Sequence, residues 1–192
     1  PQGEGWPGPR RGVRMSPGRR GCARCRVTAV TGGDGGTGLE MSDYTQGLEG
    51  RVALVTGGSR RIGAAIVRVL HGAGMHVALH YRRSRGAAEA LAAELNAVRQ
   101  GSVALHRGDL LAPGAVDRLI EEVVDGAGRL DVLVNNASNF YATPVGCVTD
   151  EVWDDLLGAN LKVPFFLAQA AAPYLRLGHG CIVNLADVHG LS

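Results

Sequence analysis

One short segment, Arg51–Gly63 (RVALVTGGSRRIG), constrains the fold more than any other part of this chain. An apolar run of branched residues ends in Thr-Gly-Gly. A small basic loop follows, and a helix-like pattern begins at Ile62. Strand, glycine turn and helix start, in that order, make a cradle for an anion. Backbone N–H groups at the helix start point at the anion, and the helix dipole adds partial positive charge. Gly57 is needed in such a turn because a side chain would block the approach of a pyrophosphate. The segment therefore predicts a β-α unit that holds a dinucleotide phosphate.

The rest of the chain repeats that alternation. The spacing predicts strands over 52–56, 76–81, 103–106, 130–135 and 181–185. Helices are expected between them. The first spans 62–72, with Ile62, Ile66, Val69 and Leu70 on one side, and Gly72 and Gly74 end it. The second spans 85–99 and is stopped by Gly101. The third has Pro113 in its first turn and reaches Val124. The fourth is long, capped by Thr149 or Asp150, disturbed around Pro164 and directed towards Leu175. Strands that are apolar on both faces and alternate with helices mean an α/β fold with a doubly wound parallel sheet, Rossmann-like.

Residues 1–40 break the pattern. They are rich in Gly, Pro and Arg, and cannot bury enough apolar area to offset their ordering entropy. The net charge of +2 hides an asymmetry. Seven arginines against Glu4, Asp34 and Glu40 give this stretch +4 and leave −2 for the rest. The expected organisation is a disordered tail over 1–47 and one nucleotide-binding domain over 48–192. Met41-Ser42-Asp43 reads as a fresh start and suggests Met41 as the natural initiator. The tail has one Trp and no helical periodicity, so neither a nucleic-acid nor a membrane partner is expected. No apolar run reaches the roughly 20 residues that span a bilayer. Cys22 and Cys25 have zinc-ligand spacing but no second pair at a usual distance, so no metal is expected. The four cysteines make no disulfide framework, which fits a reducing cytoplasm.

The end of the second strand selects the cofactor. An NAD site places an acid there, about 20 residues past the glycines, to hold the ribose 2′-hydroxyl. This chain has His80-Tyr81-Arg82-Arg83-Ser84, two guanidiniums and a hydroxyl with no acid. Arginine forks pair with phosphate oxygens, so the reading is a 2′-phosphate site and NADP(H). Arg60 and Arg61 add positive charge nearby. After the third strand, Gly108-Asp109-Leu110 offers Asp109 to an adenine amino group, or equally to a helix cap before Pro113. After the fourth, Asn135-Asn136-Ala137-Ser138 supplies a small residue where a cofactor can lie close, and amides that can tie strands together. Asn160, in an otherwise apolar helix, needs partners.

These motifs together resemble the short-chain dehydrogenase/reductase family, whose signature is T-G-x-x-x-G-x-G, then N-N-A-G, an Asn in the fourth helix, a catalytic Ser and Y-x-x-x-K. The resemblance covers residues 48–192. Arg61 stands at the middle glycine, Ser138 at the glycine after Ala137, and Asp187 at the catalytic Ser. With His80-Tyr81-x-Arg83-Ser84, these departures are similar to the pteridine reductase branch.

That resemblance implies a role for each matching residue. Arg61, Arg82, Arg83 and Ser84 would hold the NADPH phosphates, and Asp109 and Asn136 the adenine and its ribose. Gly57, Arg60, Ile62, Tyr81, Leu110, Ala137 and Ser138 complete the cofactor set. Ser138 would also meet a pterin, and Phe140 would stack on its flat ring. Asp187 would orient and tune the proton source, and Asn160 would shape its helix to admit a proton-relay water. The implied activity is hydride transfer to a dihydropterin or dihydrofolate. Reduction of a 3-oxoacyl thioester and a non-catalytic NADP-binding module stand as alternatives. The family's Tyr and Lys would fall about 13 and 17 residues past Asp187. No Tyr-x-x-x-Lys occurs in the 192 residues. The expectation is a fragment of a reductase, with little turnover and an uncovered sheet edge, whose whole form is a homo-oligomer, a tetramer.

Overall fold

The computed structural model describes residues 47–186. The tail, Cys22, Cys25, Met41 and Asp187 lie outside the described residues. Five strands form one parallel sheet: β1 (Val52–Val55), β2 (His76–Tyr81), β3 (Val103–Arg107), β4 (Val132–Asn135) and β5 (Cys181–Asn184). Their order is β3-β2-β1-β4-β5. Helices α1 (Arg61–Gly72), α2 (Arg85–Val98), α3 (Ala115–Ala127), α4 (Asp150–Leu157) and α5 (Val163–Leu177) connect them, with a π-helical turn, Gly158–Lys162, between the last two.

The winding follows from strand periodicity. Alternate residues point to opposite faces, so β1 feeds two cores. Ala53 and Val55 face the layer of Val67, Leu91 and Leu95 from α1 and α2. Val52 and Leu54 face Leu119, Ile120, Leu167 and Leu175 from α3 and α5. A strand buried on both sides must be apolar throughout, which is why these segments show no polar alternation. β5 is the exception: it is the sheet edge among the described residues, and its side chains are exposed.

Two expectations need correction. The buried stripe of α1 is Gly63, Ala64, Val67 and His71, whereas Ile62 and Val69 are exposed. Gly63 begins that face because a Cβ there would meet the Gly57 carbonyl at 2.3 Å. Pro113 precedes α3, which begins at Ala115 after Gly114 in a left-handed conformation (φ 69°). The long fourth helix runs towards Leu175 and is disturbed next to Pro164, as expected: α4 passes through the π turn into α5. Pro164 has no N–H to give the Asn160 carbonyl, and the turn before it widens until Val163 N–H bonds to Gly158. Pro164 itself sits in the first turn of α5, where it is tolerated. At the start of α4, Thr149 is the cap: its Oγ1 accepts the Val152 N–H at 3.4 Å.

At the opposite end of the sheet from the glycine turn, Asp131 is fully buried yet fully used. Its carboxylate accepts two bonds from Arg129 at 2.7 Å and one from Val52 N–H at 2.9 Å. Among the described residues no helix is long and apolar enough to cross a membrane.

Candidate cofactor site

The strand order reverses between β1 and β4, and a cleft opens there at the carboxyl ends of the strands, as expected at such a switch point. Its volume is about 410 Å³. Gly57, Arg60, Arg61, Ile62 and Gly63 form one wall. Arg82, Asp109 and Leu110 form another, and Asn136, Ala137 and Ser138 a third.

The glycine turn is set by contacts that leave no room. Gly57 has φ +62°, and a Cβ on it would press on Ala137 at 3.1 Å. A Cβ on Gly63 would meet the Gly57 carbonyl at 2.3 Å and Asn136 Nδ2 at 2.7 Å. The first N–H groups of a helix have no partner within it. Here the bond from Ala64 N–H to the Arg60 carbonyl closes the first turn, which puts Arg61, Ile62 and Gly63 at the anion-binding end. No acid occupies that turn.

Arg61 stands out in its backbone. Its φ is +49°, in the left-handed region that costs a residue with a Cβ roughly 1–2 kcal/mol. A glycine would adopt that conformation freely. Keeping a guanidinium at the cleft wall against this cost favours an anionic ligand there.

The turn is tied to its neighbours by side chains. Thr56 is buried, and its Oγ1 accepts the N–H groups of Asn136 and Ala137 at 3.0 Å while donating to the Val134 carbonyl at 3.2 Å. Asn136 Nδ2 donates to the carbonyls of Thr56 and Gly57 at 2.8 and 3.1 Å. Asn135 Nδ2 donates to Asn184 Oδ1 at 2.8 Å, joining β4 to β5. The Asn amides thus tie strands together, and the Asn136 side chain is already committed to the turn.

Several residues stand apart from the cleft. Tyr81 is buried in the α1–α2 core and is not among the cleft walls. Arg83 is exposed and Ser84 half-buried, and neither is among the cleft walls. Arg82 is at the wall, with Nη2 3.0 Å from Asp109 Oδ2. Asp109 also accepts the Leu111 N–H at 3.2 Å, so it closes its own turn rather than capping α3. Phe140 lies beyond the cleft on the same loop as Ser138 and is 87% exposed. Asn160 sits in the π turn and bonds to the backbone of Asn139.

His80 carries a role that the sequence left unassigned. Gly57 N–H donates to its Nδ1 at 3.4 Å, so the ring proton lies on Nε2, which donates to the Gly108 carbonyl at 3.1 Å. The ring bridges the two turns that wall the cleft. Burial is the largest influence on it and pushes its pKa down to about 4, despite the opposing bond to Gly108. A His inside the apolar run of β2 was the available signal. Among the described residues no group of three His, Cys, Asp or Glu is placed to hold a metal ion.

The residue pattern of the family described as short chain dehydrogenase matches residues 51–192. The chain belongs to that family. It is 40% identical over 139 residues to the 3-oxoacyl-[acyl-carrier-protein] reductase FabG of Staphylococcus aureus, covering 72% of this chain and 56% of that one. It is 38% identical over 152 residues to pteridine reductase 1 of Leishmania tarentolae, covering 63% and 53%. Among solved structures it is similar to a blue fluorescent protein from a metagenomic library in complex with NADPH. The TM-score there is 0.69 and the identity 39%, with 74% of this chain and 58% of that one covered. The chain spans about half the length of the curated relatives it matches.

Proposed function

We propose that this chain binds NADPH and serves a reductase that delivers hydride to a C=N bond of a dihydropterin or dihydrofolate. The observation that carries the cofactor reading is the cleft itself. It joins a helix start without acids to Arg60, Arg61 and Arg82, and no carboxylate occupies the end of β2. The residues fit the group: backbone N–H groups and Arg61 for the pyrophosphate, Arg82 for the 2′-phosphate, and Ala137 for close approach of the dinucleotide. The bound nicotinamide would supply the hydride. The proton delivered to nitrogen needs a separate source, which Asp187 would orient.

The pterin reading rests on Phe140, an exposed aromatic face beside Ser138, and on the likeness to pteridine reductase 1. A flat heterocycle gains dispersion and quadrupole terms against such a ring. The identity to FabG favours a second reading, reduction of a 3-oxoacyl thioester. The homo-oligomer reading is supported by exposed Trp153, Leu161 and Phe165 along α4, the π turn and α5. Sedimentation of the whole protein tests that assembly.

The deciding experiment has two stages. NADPH and NADH are titrated against the chain by fluorescence, and tighter binding of NADPH is expected. NADPH oxidation by the complete gene product is then compared with 7,8-dihydrobiopterin and with acetoacetyl-coenzyme A. A rate confined to the thioester would replace the first reading with the second.

A further inference from the structure

The loop after β4 carries Phe140, and its position is set from outside the loop. Asn139 N–H donates to Asn160 Oδ1 at 3.2 Å, and Asn160 Nδ2 donates to the Asn139 carbonyl at 2.8 Å. Asn139 Nδ2 donates to Asp155 Oδ1 at 2.9 Å, and the Tyr141 hydroxyl donates to Asp155 Oδ2 at 3.1 Å. One carboxylate on α4 therefore holds both chain neighbours of Phe140, one oxygen for each. The ring between them stays out in solvent, 87% exposed.

The helix geometry makes this reach possible. In a regular α-helix, residues five apart point about 140° apart around the axis. The wider π turn at Gly158–Lys162 reduces that divergence, and Asp155 and Asn160 converge on the same loop. Burial, then the bond and charge of Asp155, raise the Tyr141 hydroxyl above its ordinary pKa.

We infer that Asp155 is a positioning residue for the substrate: by gripping Asn139 and Tyr141 it fixes where Phe140 stands beside the cleft. This rests on the reading of Phe140 as the face that stacks on a flat heterocycle. A loop held in place beforehand has less freedom to lose when the ligand binds. Asp155 meets no substrate ring in this role; it acts through its two partners, of which Asn139 also lines the cleft.

The test uses Asp155→Ala, which removes both grips, and Tyr141→Phe, which removes one and is the milder change should Asp155→Ala fold poorly. Hydrogen exchange of residues 138–141 reads the loop directly. Calorimetric titration of 7,8-dihydrobiopterin into the NADP⁺-loaded chain reads the consequence. Exchange about tenfold faster and dihydrobiopterin binding about tenfold weaker are expected for Asp155→Ala, with NADPH affinity within about twofold of the parent. Tyr141→Phe should fall between. Unchanged exchange in both variants overturns the proposal. So does faster exchange with unchanged dihydrobiopterin affinity. A parent chain that takes up no dihydrobiopterin sinks the pterin reading instead, and exchange alone then decides whether Asp155 holds the loop.

Discussion

Arg82 and Asp109 meet across the mouth of the cleft, with Arg82 Nη2 3.0 Å from Asp109 Oδ2. The pair links the turn after β2 to the turn after β3. It holds the guanidinium where the 2′-phosphate of the proposed cofactor would lie. Both side chains are more than a third exposed, so the pair itself adds little stability. Its value is orientation.

Cofactor choice should therefore depend on Arg82. Hydrogen bonds to charged groups are worth about 1.5–3 kcal/mol. Arg82→Ala is expected to weaken NADPH binding roughly ten- to a hundredfold and to leave NADH nearly unchanged. Paired fluorescence titrations measure this. Equal losses for the two dinucleotides would remove Arg82 from the 2′-phosphate site.

Arg61 tests strain against function. Glycine adopts a φ of +49° without penalty, whereas alanine does not. Arg61→Gly should be more stable than Arg61→Ala by about 1 kcal/mol, reversing the usual helix preference. Both variants should bind NADPH more weakly than the parent. Urea unfolding supplies the stability order, and an alanine variant as stable as the glycine one would contradict a left-handed Arg61.

Gly63 and Gly86 make a contrasting pair. A Cβ on Gly63 would collide with backbone at 2.3 Å, while one on Gly86 meets nothing within 4 Å. Gly63→Ala is expected to cost about 1–3 kcal/mol or more and to abolish NADPH binding, since the glycine turn must move. Gly86→Ala, in the first turn of α2, should be neutral or stabilising by up to about 1 kcal/mol. Thermal melts with and without NADPH would show both effects.

His80 makes stability depend on pH. Its folded pKa of about 4 lies below the ordinary 6.5, so the unfolded chain binds the proton more tightly. The His80 contribution is complete above about pH 6.5 and is lost as the pH falls towards 4, in total about 3 kcal/mol. Burial likewise lowers His71, His76 and His106, which act in the same direction. His80→Gln can still accept from Gly57 and donate to Gly108 without titrating. Its unfolding free energy should fall less steeply than the parent's between pH 6.5 and 4.5. Parallel pH profiles would remove His80 as the source.

The fold was legible because its determinants are local. Continuous apolar runs, Gly101 after α2 and Thr149 before α4 act within a few residues, so alternating strands and helices could be read directly. Helix boundaries and faces were harder. Ile62 and Val69 are apolar yet exposed, because the face that α1 turns to the sheet carries Gly63, Ala64, Val67 and His71 instead. Gly57, Arg61 and Ala137 were recognisable as cleft residues because the motif fixes their chain spacing. Tyr81 looked equivalent in sequence, yet the strand pleat turns its ring into the core.

The sequence by itself determined the alternation of strands and helices, the glycine turn, and the arginines without an acid after β2. Those depend on residues close together in the chain. Only the tertiary structure decided that Arg82 meets Asp109, that His80 bridges Gly57 and Gly108, and that Asp155 grips both neighbours of Phe140. Each of these contacts joins separate elements. Strand order and the packing of α4 and the π turn against the β4 loop bring their atoms within hydrogen-bonding distance, and local pattern carries no information about such distances.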